Sequence, residues 1–473
     1  MTTKSSESDA VSFRSDRSLS RRLFIASSLA AGAALALLPE RLVRAAEAAP
    51  VGRKLKVAFV GIGNRGNEVL KTFADTGLVD VVAFCDVDLL GAHTAESRRL
   101  FPDVPGFQDF REMFAQIGDR FEAVVVATPD HSHFVVAMHA MAHGKHVYVE
   151  KPLAHTFREV ELLMARAEQS GLVTQMGNQG HSGNNYHQFK AWTEAGVIKD
   201  VTRIDMFMNS PRRWHGWKVD GFPTGEPVPP TINWDLWHAN TVVHPFSSRL
   251  HPGDWRGWFA YGDGAFGDWG PHILDTAHRF LALGLPRVIE AEKREGTNDS
   301  IFPQATTIRF DFAARPGMPP VEVFWYDGVD NRPPLPAELG PAAKLAQPAG
   351  KFIYSKEHVF LGGTHGDTLR LVPEEKMRRL APELPRIGGG FSDHFRNFAL
   401  ACLGREETKS PFRVSGPLTQ VFLLGVIAQR LGGRLEFDPV ARRFTNSDRA
   451  NELLAGVPPR AGWEQYYRGV NKL

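Results

Sequence analysis

The sequence predicts an α/β protein in which a doubly wound parallel sheet precedes an α+β domain with a mostly antiparallel sheet. Two observations predict this fold class. From Lys54 to about Gly171, short apolar strand patterns alternate with helical patterns, which is typical of parallel sheets covered by helices on both faces. Beyond that point the regular alternation ends, and Pro-rich connections separate strand-like runs.

The first part contains four strand patterns interspersed with four helical patterns. The second strand pattern shows no alternation of apolar and polar residues, as expected where both faces of a strand are covered. The strands are predicted at 54–63, 79–88, 121–130 and 145–153, and the helices at 67–77, 92–100, 109–117 and 131–144.

The second part has fewer regular alternations. Strand-like runs are predicted at 202–208, 304–312 and 321–326, a long loop near 331–352, and two late helices near 391–404 and 418–432. Strands that are not separated by single helices favour an antiparallel sheet here.

The charge balance excludes some partners. The 473 residues include 55 basic and 53 acidic side chains, and the first 48 residues contain seven and five of them, so the remainder carries 48 of each. A neutral protein has no electrostatic basis for binding nucleic acid or an anionic membrane surface. We therefore expect neither nucleic acid nor membrane as a partner of the mature protein.

The N-terminus has the order of an export signal. Twin arginines in S-R-R-L-F-I precede an apolar run from Leu23 to Leu38, and small residues suited to cleavage follow at 45–48. The run is short and Ala-rich for a membrane span, and an uncleaved anchor is the alternative. We predict a twin-arginine signal peptide at 1–48 and a periplasmic or extracellular mature protein.

A glycine-rich motif, G-I-G-N-R-G, lies between the first predicted strand and helix. In such a loop Gly61 permits the tight turn, Gly63 lets the backbone approach a pyrophosphate, and Gly66 allows close helix packing. Asp86 lies twenty residues beyond Gly66, where a carboxylate can accept hydrogen bonds from ribose hydroxyls and repel a 2′-phosphate. The motif predicts a dinucleotide site, with NAD favoured over NADP; a glycine turn with an incidental aspartate is the alternative.

Two further motifs, T-P-D-H-S-H and E-K-P-L, follow the third and fourth predicted strands. Thr128 and Pro129 end one strand and Glu150 and Lys151 end the next, so both pairs lie at the carboxyl edge, where such sheets bind ligands. A lysine at this edge can hydrogen-bond a substrate hydroxyl as hydride leaves. The alternative is a solvated surface charge.

The segment G-D-W-G-P-H predicts an acid and a base in the second part. Gly270 and Pro271 indicate a helix start, which places Asp268 near the cap and His272 in the first turn. The positive end of the helix dipole would keep His272 neutral and able to act as a base. A capping aspartate with a packed histidine is the alternative.

Five motifs together resemble, in their order and spacing, the glucose-fructose oxidoreductase, inositol dehydrogenase and MocA family. They are G-I-G-N-R-G, C-D-V-D, A-T-P-D-H-S-H, G-K-H-V-Y-V-E-K-P-L-A and G-D-W-G-P-H-I-L-D. The resemblance implies an NAD-binding Rossmann domain, placed at 52–172, followed by a substrate-binding, catalytic domain with an open sheet, placed at 173–473. It also implies that Lys151, Asp268 and His272 are catalytic, with His272 taking the substrate proton, and that His133 lies by the cofactor.

The motifs and the resemblance together define an expected cofactor site and an expected substrate site. Cofactor contacts are expected from Gly61, Gly63, Asn64, Arg65, Gly66, Asp86, Thr128, Pro129, His133, Glu150 and Lys151. Eight of the ten tryptophans fall between Trp192 and Trp269, and rings at the mouth of a site can stack on a sugar. We assign Trp214, Trp255 and Arg256 to the substrate; tryptophans that belong to the core are the alternative.

We predict no metal site. The histidines of H-S-H, with His139, His143 and His146, suggest ligands, but His139 and His143 lie on a predicted helix without a carboxylate or cysteine at ligand spacing.

The export signal and the cofactor site together favour one function. Because little free NAD is available outside the cytoplasm, an exported enzyme needs a tightly bound cofactor that is regenerated in its site. We predict an exported NAD-dependent oxidoreductase that acts on a carbohydrate by hydride transfer. The resemblance implies that the exposed face of the second-domain sheet is a usual pairing surface for a homo-oligomer, and the sequence leaves the oligomeric state open. One alternative is an NAD-dependent glycosidase that oxidises its sugar transiently, although the best-known related group lacks the lysine corresponding to Lys151. Another is a non-catalytic sugar-binding protein.

Overall fold

Six parallel strands form the first sheet of the computed structural model, which describes residues 52–468. They are β1 (Leu55–Val60), β2 (Val79–Cys85), β3 (Gly106–Phe107), β4 (Ala123–Val126), β5 (His146–Val149) and β6 (Thr174–Met176), in the spatial order β3-β2-β1-β4-β5-β6. All four residues of β4 are buried, whereas β2, which the sequence predicts to be covered on both faces, has Asp80 exposed and Val81 and Val82 half-buried. The predicted signal peptide at 1–48 lies outside the described residues.

Helices connect these strands. They are α1 (Arg65–Asp75), α2 (Ala95–Leu100), α3 (Phe110–Ile117), α4 (His133–Ala142) and α5 (Phe157–Ser170). Helix α5 begins with a capping box in which the Thr156 side chain accepts from the Glu159 N–H and the Glu159 carboxylate accepts from the Thr156 N–H. The strand β6 follows α5 and lies just beyond residue 172, so the parallel sheet reaches past the expected domain division.

Nine strands form the second sheet. Its members are β7 (Val201–Met208), β8 (Val288–Glu295), β9 (Ala305–Phe312), β10 (Val321–Asp327), β11 (Ala349–Ser355), β12 (Val359–Gly362), β13 (Arg370–Val372), β14 (Gly433–Asp438) and β15 (Arg443–Phe444). Only β7 and β10 pair in parallel within this sheet. The mostly antiparallel second sheet confirms the predicted fold class.

The helices of the second part are α6 (Asn184–Glu194), α7 (Trp234–His238), α8 (Gly264–Ile273), α9 (Asp275–Phe280), α10 (Glu374–Leu380), α11 (His394–Cys402), α12 (Phe412–Leu431) and α13 (Asp448–Ala455). The long helix α12 packs against both α5 and α8. A side chain at Gly425 would collide with Phe266, so this glycine allows α12 to approach α8 closely. No helix within 52–468 is both long and apolar enough to cross a bilayer.

A buried lysine in the second sheet reduces the stability of the fold. Lys351 of β11 is 2% exposed. Burial lowers the pKa of its ammonium group from 10.5 to about 8, although the charges of Asp275 and Asp367 oppose this shift. Because the unfolded chain then binds this proton more tightly, the free energy of unfolding is reduced below pH 8 and recovers as the pH rises toward 10.5.

We expect Lys351→Met to increase the free energy of unfolding by about 3 kcal/mol at pH 7, the equivalent of this pKa difference. The gain should shrink as the pH approaches 10.5, because the parent protein then loses the proton. Denaturant unfolding at pH 7 and pH 10 measures both effects. Lys356→Met, at an exposed position nearby, is the control and should change stability little; an equal gain in both variants would contradict the prediction.

Candidate active site

A cavity of about 850 Å³ lies at the carboxyl edge of the first sheet, where the second part of the chain covers it. It brings together most of the residues predicted from the sequence: Gly61, Gly63, Asn64, Arg65, Asp86, Thr128, Pro129, His133, Glu150, Lys151, Trp214, Trp255, Arg256 and Asp268. Among the predicted site residues, all of which are described, Gly66 and His272 do not line it. A cavity of this size is typical of ligand sites.

The glycine loop has the geometry that a dinucleotide requires. Gly61 has φ +82°, and a Cβ atom there would lie 2.6 Å from the Ala127 carbonyl oxygen. A Cβ atom at Gly66 would collide with the Gly61 carbonyl, so α1 begins in direct contact with the loop. No side chain within the described chain caps α1 at Asn64. The backbone at this helix N-terminus can therefore approach a pyrophosphate closely.

Asp86 is held at the end of β2 by two backbone hydrogen bonds. Its Oδ2 accepts from the Ile62 N–H at 3.0 Å, and its Oδ1 accepts from the Asp88 N–H at 3.0 Å. These bonds connect the carboxylate to the glycine loop and leave further lone pairs for ribose hydroxyls. The arrangement fits the predicted preference for NAD.

Arg65 and Glu150 bind one another at the cavity wall. Arg65 Nη2 lies 3.2 Å from Glu150 Oε1, which also accepts from Gln179 Nε2 at 2.9 Å. Glu150 is buried. Gln179, which the sequence analysis did not select, therefore helps to hold the carboxylate next to Lys151.

His133 connects the two strand-end motifs. One ring nitrogen, Nε2, lies 2.8 Å from the Thr128 carbonyl oxygen, and the other, Nδ1, lies 2.7 Å from the Pro152 carbonyl oxygen. His133 is buried, and burial lowers the pKa of its imidazole. Its contacts are those of a residue that positions the T-P-D-H-S-H and E-K-P-L segments relative to each other.

Lys151 and Asp268 meet in the cavity although 117 positions separate them in the chain. Lys151 Nζ donates to Asp268 Oδ1 at 2.5 Å and to the Asp268 carbonyl oxygen at 3.0 Å. The other carboxylate oxygen forms an ion pair with Arg212. Lys151 is therefore not a solvated surface charge.

Three cations determine the charge of Asp268. Burial alone would raise the pKa of its carboxyl group, but Arg256, Lys151 and Arg212 together hold that pKa well below its usual range. Arg256 Nε lies 3.7 Å from Asp268 Oδ1, and Arg256 Nη1 lies 2.9 and 3.1 Å from the two oxygens of Asp130. Arg256, assigned to substrate from the sequence, thus bridges two carboxylates.

The sequence analysis missed Arg212 and Asp130. Asp130 belongs to the T-P-D-H-S-H motif and Arg212 lies two residues before Trp214, but the role of each depends on contacts made across the fold. Spacing along the chain gives no signal for an ion pair between Arg212 and Asp268.

The predicted helix start at Gly270 and Pro271 was wrong. Helix α8 begins at Gly264 and ends at Ile273, with Pro271 inside it, so Asp268 lies in mid-helix and His272 in the last turn. A Cβ atom at Gly270 would lie 2.7 Å from the Phe422 ring, so this glycine serves close packing against α12 and not a helix start. The positive helix end cannot explain a neutral His272.

His272 is kept neutral by a different cause. It is buried, and burial together with the charge of Lys151 and the neighbouring His365 lowers the pKa of its imidazole well below 6.5. His365 stacks on it with ring centroids 3.8 Å apart and planes inclined by 24°. His272 Nδ1 has no hydrogen-bond partner in the described part of the chain. The imidazole is thus available to accept a proton.

The two tryptophans assigned to substrate differ in exposure. Trp214 is 2% exposed and packs close to Phe302, with ring centroids 6.2 Å apart, so little of its ring is free. Trp255 is partly exposed, and the Arg256 guanidinium lies over its ring at 4.4 Å. Trp192, Trp237 and Trp258 are also buried, as the core alternative predicts.

Comparison with known proteins supports the cofactor-binding part of this site. Residues 55–178 match the Gfo/Idh/MocA family model, described as an oxidoreductase family with an NAD-binding Rossmann fold. The match supports an NAD-binding Rossmann fold in this segment, which confirms the predicted cofactor class.

Curated relatives match in the same region. A "Glycosyl hydrolase family 109 protein" of Shewanella sp. (strain W3-18-1) is 27% identical over 179 residues, which cover 36% of this chain and 39% of the relative. A "Glycosyl hydrolase family 109 protein 3" of Phocaeicola vulgatus is 35% identical over 129 residues, which cover 26% of this chain and 23% of the relative. The chain thus spans less than half the length of these curated relatives.

Solved structures share the fold over most of the chain. The WlbA dehydrogenase from Chromobacterium violaceum, in complex with NADH and UDP-GlcNAcA, has a TM-score of 0.55 and 15% identity and covers 83% of this chain and 98% of its own. The aldose-aldose oxidoreductase from Caulobacter crescentus has a TM-score of 0.52 and 14% identity and covers 81% of this chain and 100% of its own. These likenesses establish the fold.

We expect His365→Gln to raise the pKa of His272. The substitution removes the stacked ring and its charge, both of which favour the neutral form, so His272 should begin to titrate at a higher pH. A histidine NMR titration measures this shift without any substrate. His143→Gln, at an exposed position on the first domain, should leave His272 unchanged. An unaltered or lower pKa in the His365 variant would refute the electrostatic assignment.

Proposed function

We propose that this protein is an NAD-dependent oxidoreductase that transfers a hydride from a CH–OH group of a sugar or sugar derivative. We further propose that it holds its cofactor tightly and is exported by the twin-arginine route. The contact between Lys151 Nζ and Asp268 Oδ1, at the wall of the cavity that contains the glycine loop, is the observation that carries the proposal.

The residues of this chain have distinct roles in the proposed reaction. NAD, when bound, supplies the hydride acceptor at C4 of its nicotinamide. Lys151 donates a hydrogen bond to the substrate hydroxyl oxygen and orients it, and Asp268 holds Lys151 in place. The proposed acceptor of the hydroxyl proton is the neutral imidazole of His272; because His272 does not line the cavity, the proton has to be relayed to it, for which a water molecule would serve. Arg212 and Arg256 keep Asp268 ionised throughout.

The carbohydrate assignment rests on the lining of the cavity. Trp255 offers an aromatic face beside Arg256, and Arg213 and Asp254 form an ion pair at 3.5 Å next to it. Aromatic faces with neighbouring charged groups suit a ligand that has apolar ring faces and many hydroxyl groups. Trp214 contributes less, because it is nearly covered.

Export explains why the cofactor must be retained. A protein that leaves the cytoplasm with NAD inside can turn over only if the reduced cofactor is reoxidised in the same site. A second sugar can accept the hydride, or the oxidised sugar can take it back later in the same cycle. Both routes are redox-neutral overall.

An NAD-dependent glycosidase is the second candidate, and the names of the curated relatives favour it. In this reaction the sugar is oxidised, the new ketone acidifies the neighbouring C–H, the glycosidic bond is eliminated, water adds, and the ketone is reduced. The first and last steps need the same Lys151, Asp268 and His272. The two functions therefore differ in what happens between hydride removal and return.

We expect one NAD(H) per chain when the purified, exported protein is denatured and its released nucleotide is identified and counted. A tightly held, internally recycled cofactor requires this stoichiometry. An empty site that binds added NAD only weakly would contradict the closed cycle and favour a conventional dehydrogenase.

We expect Lys151→Met to reduce turnover by about 10²- to 10³-fold, the usual effect of removing one preorganised hydrogen-bond donor, while the bound nucleotide is retained. Steady-state assays with a sugar panel and counting of released nucleotide measure the two effects. Lys190→Met, on the exposed face of α6, should leave both unchanged. Product analysis separates the candidates, because only a glycosidase releases an aglycone, whereas a binding protein shows neither oxidised sugar nor aglycone.

A further inference from the structure

Three potential metal ligands lie together beside the cofactor cavity. Asp88 follows β2, His93 lies in the helical turn Ala92–Thr94, and His251 comes from the segment between α7 and α8. His251 Nε2 lies 3.0 Å from Asp88 Oδ2, and His93 Nδ1 lies 3.6 Å from the same oxygen. One ligand atom from each of the three residues lies within 4.8 Å of the others.

Internal hydrogen bonds do not satisfy this cluster. Asp88 is 6% exposed, and its Oδ1 is buried without a hydrogen-bond partner in residues 52–468. The distance from His93 Nδ1 to the carboxylate is too long for a hydrogen bond. A buried carboxylate oxygen without a partner is costly, so a ligand that binds it would stabilise this arrangement.

We propose that Asp88, His93 and His251 bind a divalent transition metal ion, with zinc as the preferred ion. Two imidazoles and one carboxylate are typical zinc ligands, and metal–ligand distances of about 2.0–2.2 Å place such ligands roughly 3–4 Å apart. Mg²⁺ and Ca²⁺ prefer oxygen donors, so two nitrogen donors disfavour them. Three protein ligands leave a fourth position for water, and His93 and His251 both line the cavity.

The site would connect two distant parts of the chain. Asp88 and His251 are separated by 163 positions, and His251 lies four residues before Trp255 in the segment that covers the cavity. On the other side, a side chain at Gly63 would collide with His93, and His93 Nε2 lies 4.0 Å from Asp86 Oδ1. A bound ion would therefore hold the covering segment against the glycine loop and the ribose-binding carboxylate.

This inference revises our expectation that the protein has no metal site. That expectation considered histidines close together in sequence, whereas these ligands come from two separate segments. It is independent of the proposed function, because metal binding can be measured without substrate or turnover.

The test is metal binding by the full-length protein after treatment with a chelator. We expect about one equivalent of Co²⁺ to bind, with a visible absorption band from tetrahedral coordination, and Zn²⁺ to displace it. Zn²⁺ should also raise the unfolding temperature, because it binds only the folded protein. His93→Ala and His251→Ala should each abolish the band and the temperature shift.

His143→Ala removes an exposed histidine outside the cluster and is the matched control, which should bind metal as the parent does. Circular dichroism verifies that each variant is folded; if His251→Ala is not, His93→Asn and Asp88→Asn test the same ligand set. Absence of metal binding by the parent, or equal binding by the parent and every folded ligand variant, would overturn the proposal and indicate an Asp–His hydrogen-bond cluster only.

Discussion

The ion pair between Lys151 and Asp268 is the interaction on which the rest of the site depends. Lys151 follows β5 of the parallel sheet, whereas Asp268 lies in α8, which packs against β7 and β10 of the second sheet. Both side chains are mostly covered, at 12% and 16% exposure, so each leaves a poorly solvated charge if the other is absent. The pair therefore fixes the position of the second part of the chain over the carboxyl edge of the first sheet.

Further charged side chains surround the ion pair between Lys151 and Asp268. Asp268 is surrounded by three cations, and Asp130 partly neutralises one of them, Arg256. Of these cations, Lys151 also acts on His272 and, together with burial and the neighbouring His365, lowers the pKa of its imidazole. Lys151 thus contributes both to an ionised carboxylate and to a neutral imidazole four residues apart on a single helix.

The comparison with known proteins bears on the cofactor half of the cavity more than on the substrate half. The glycine loop, Asp86 and Lys151 lie within the segment that matches the NAD-binding family, 55–178. Arg212, Trp255, Asp268, His272 and His365 lie outside it. The cofactor is therefore supported by comparison as well as by geometry, whereas the identity of the substrate depends on the part of the chain for which only the shared fold is available.

The sequence by itself determined the fold class, the glycine loop, Asp86 and the strand-end position of Lys151, because these features depend on neighbours in the chain: apolar runs, turn glycines and short fixed spacings. It misplaced the start of α8, because Gly270 and Pro271 resemble a helix start locally while packing against α12 decides their role. Only the tertiary structure decided that Arg212 and Arg256 hold Asp268, that His365 covers His272 and that Asp88, His93 and His251 meet. Each of these arrangements joins segments far apart in sequence, and no local pattern encodes a distance between such segments.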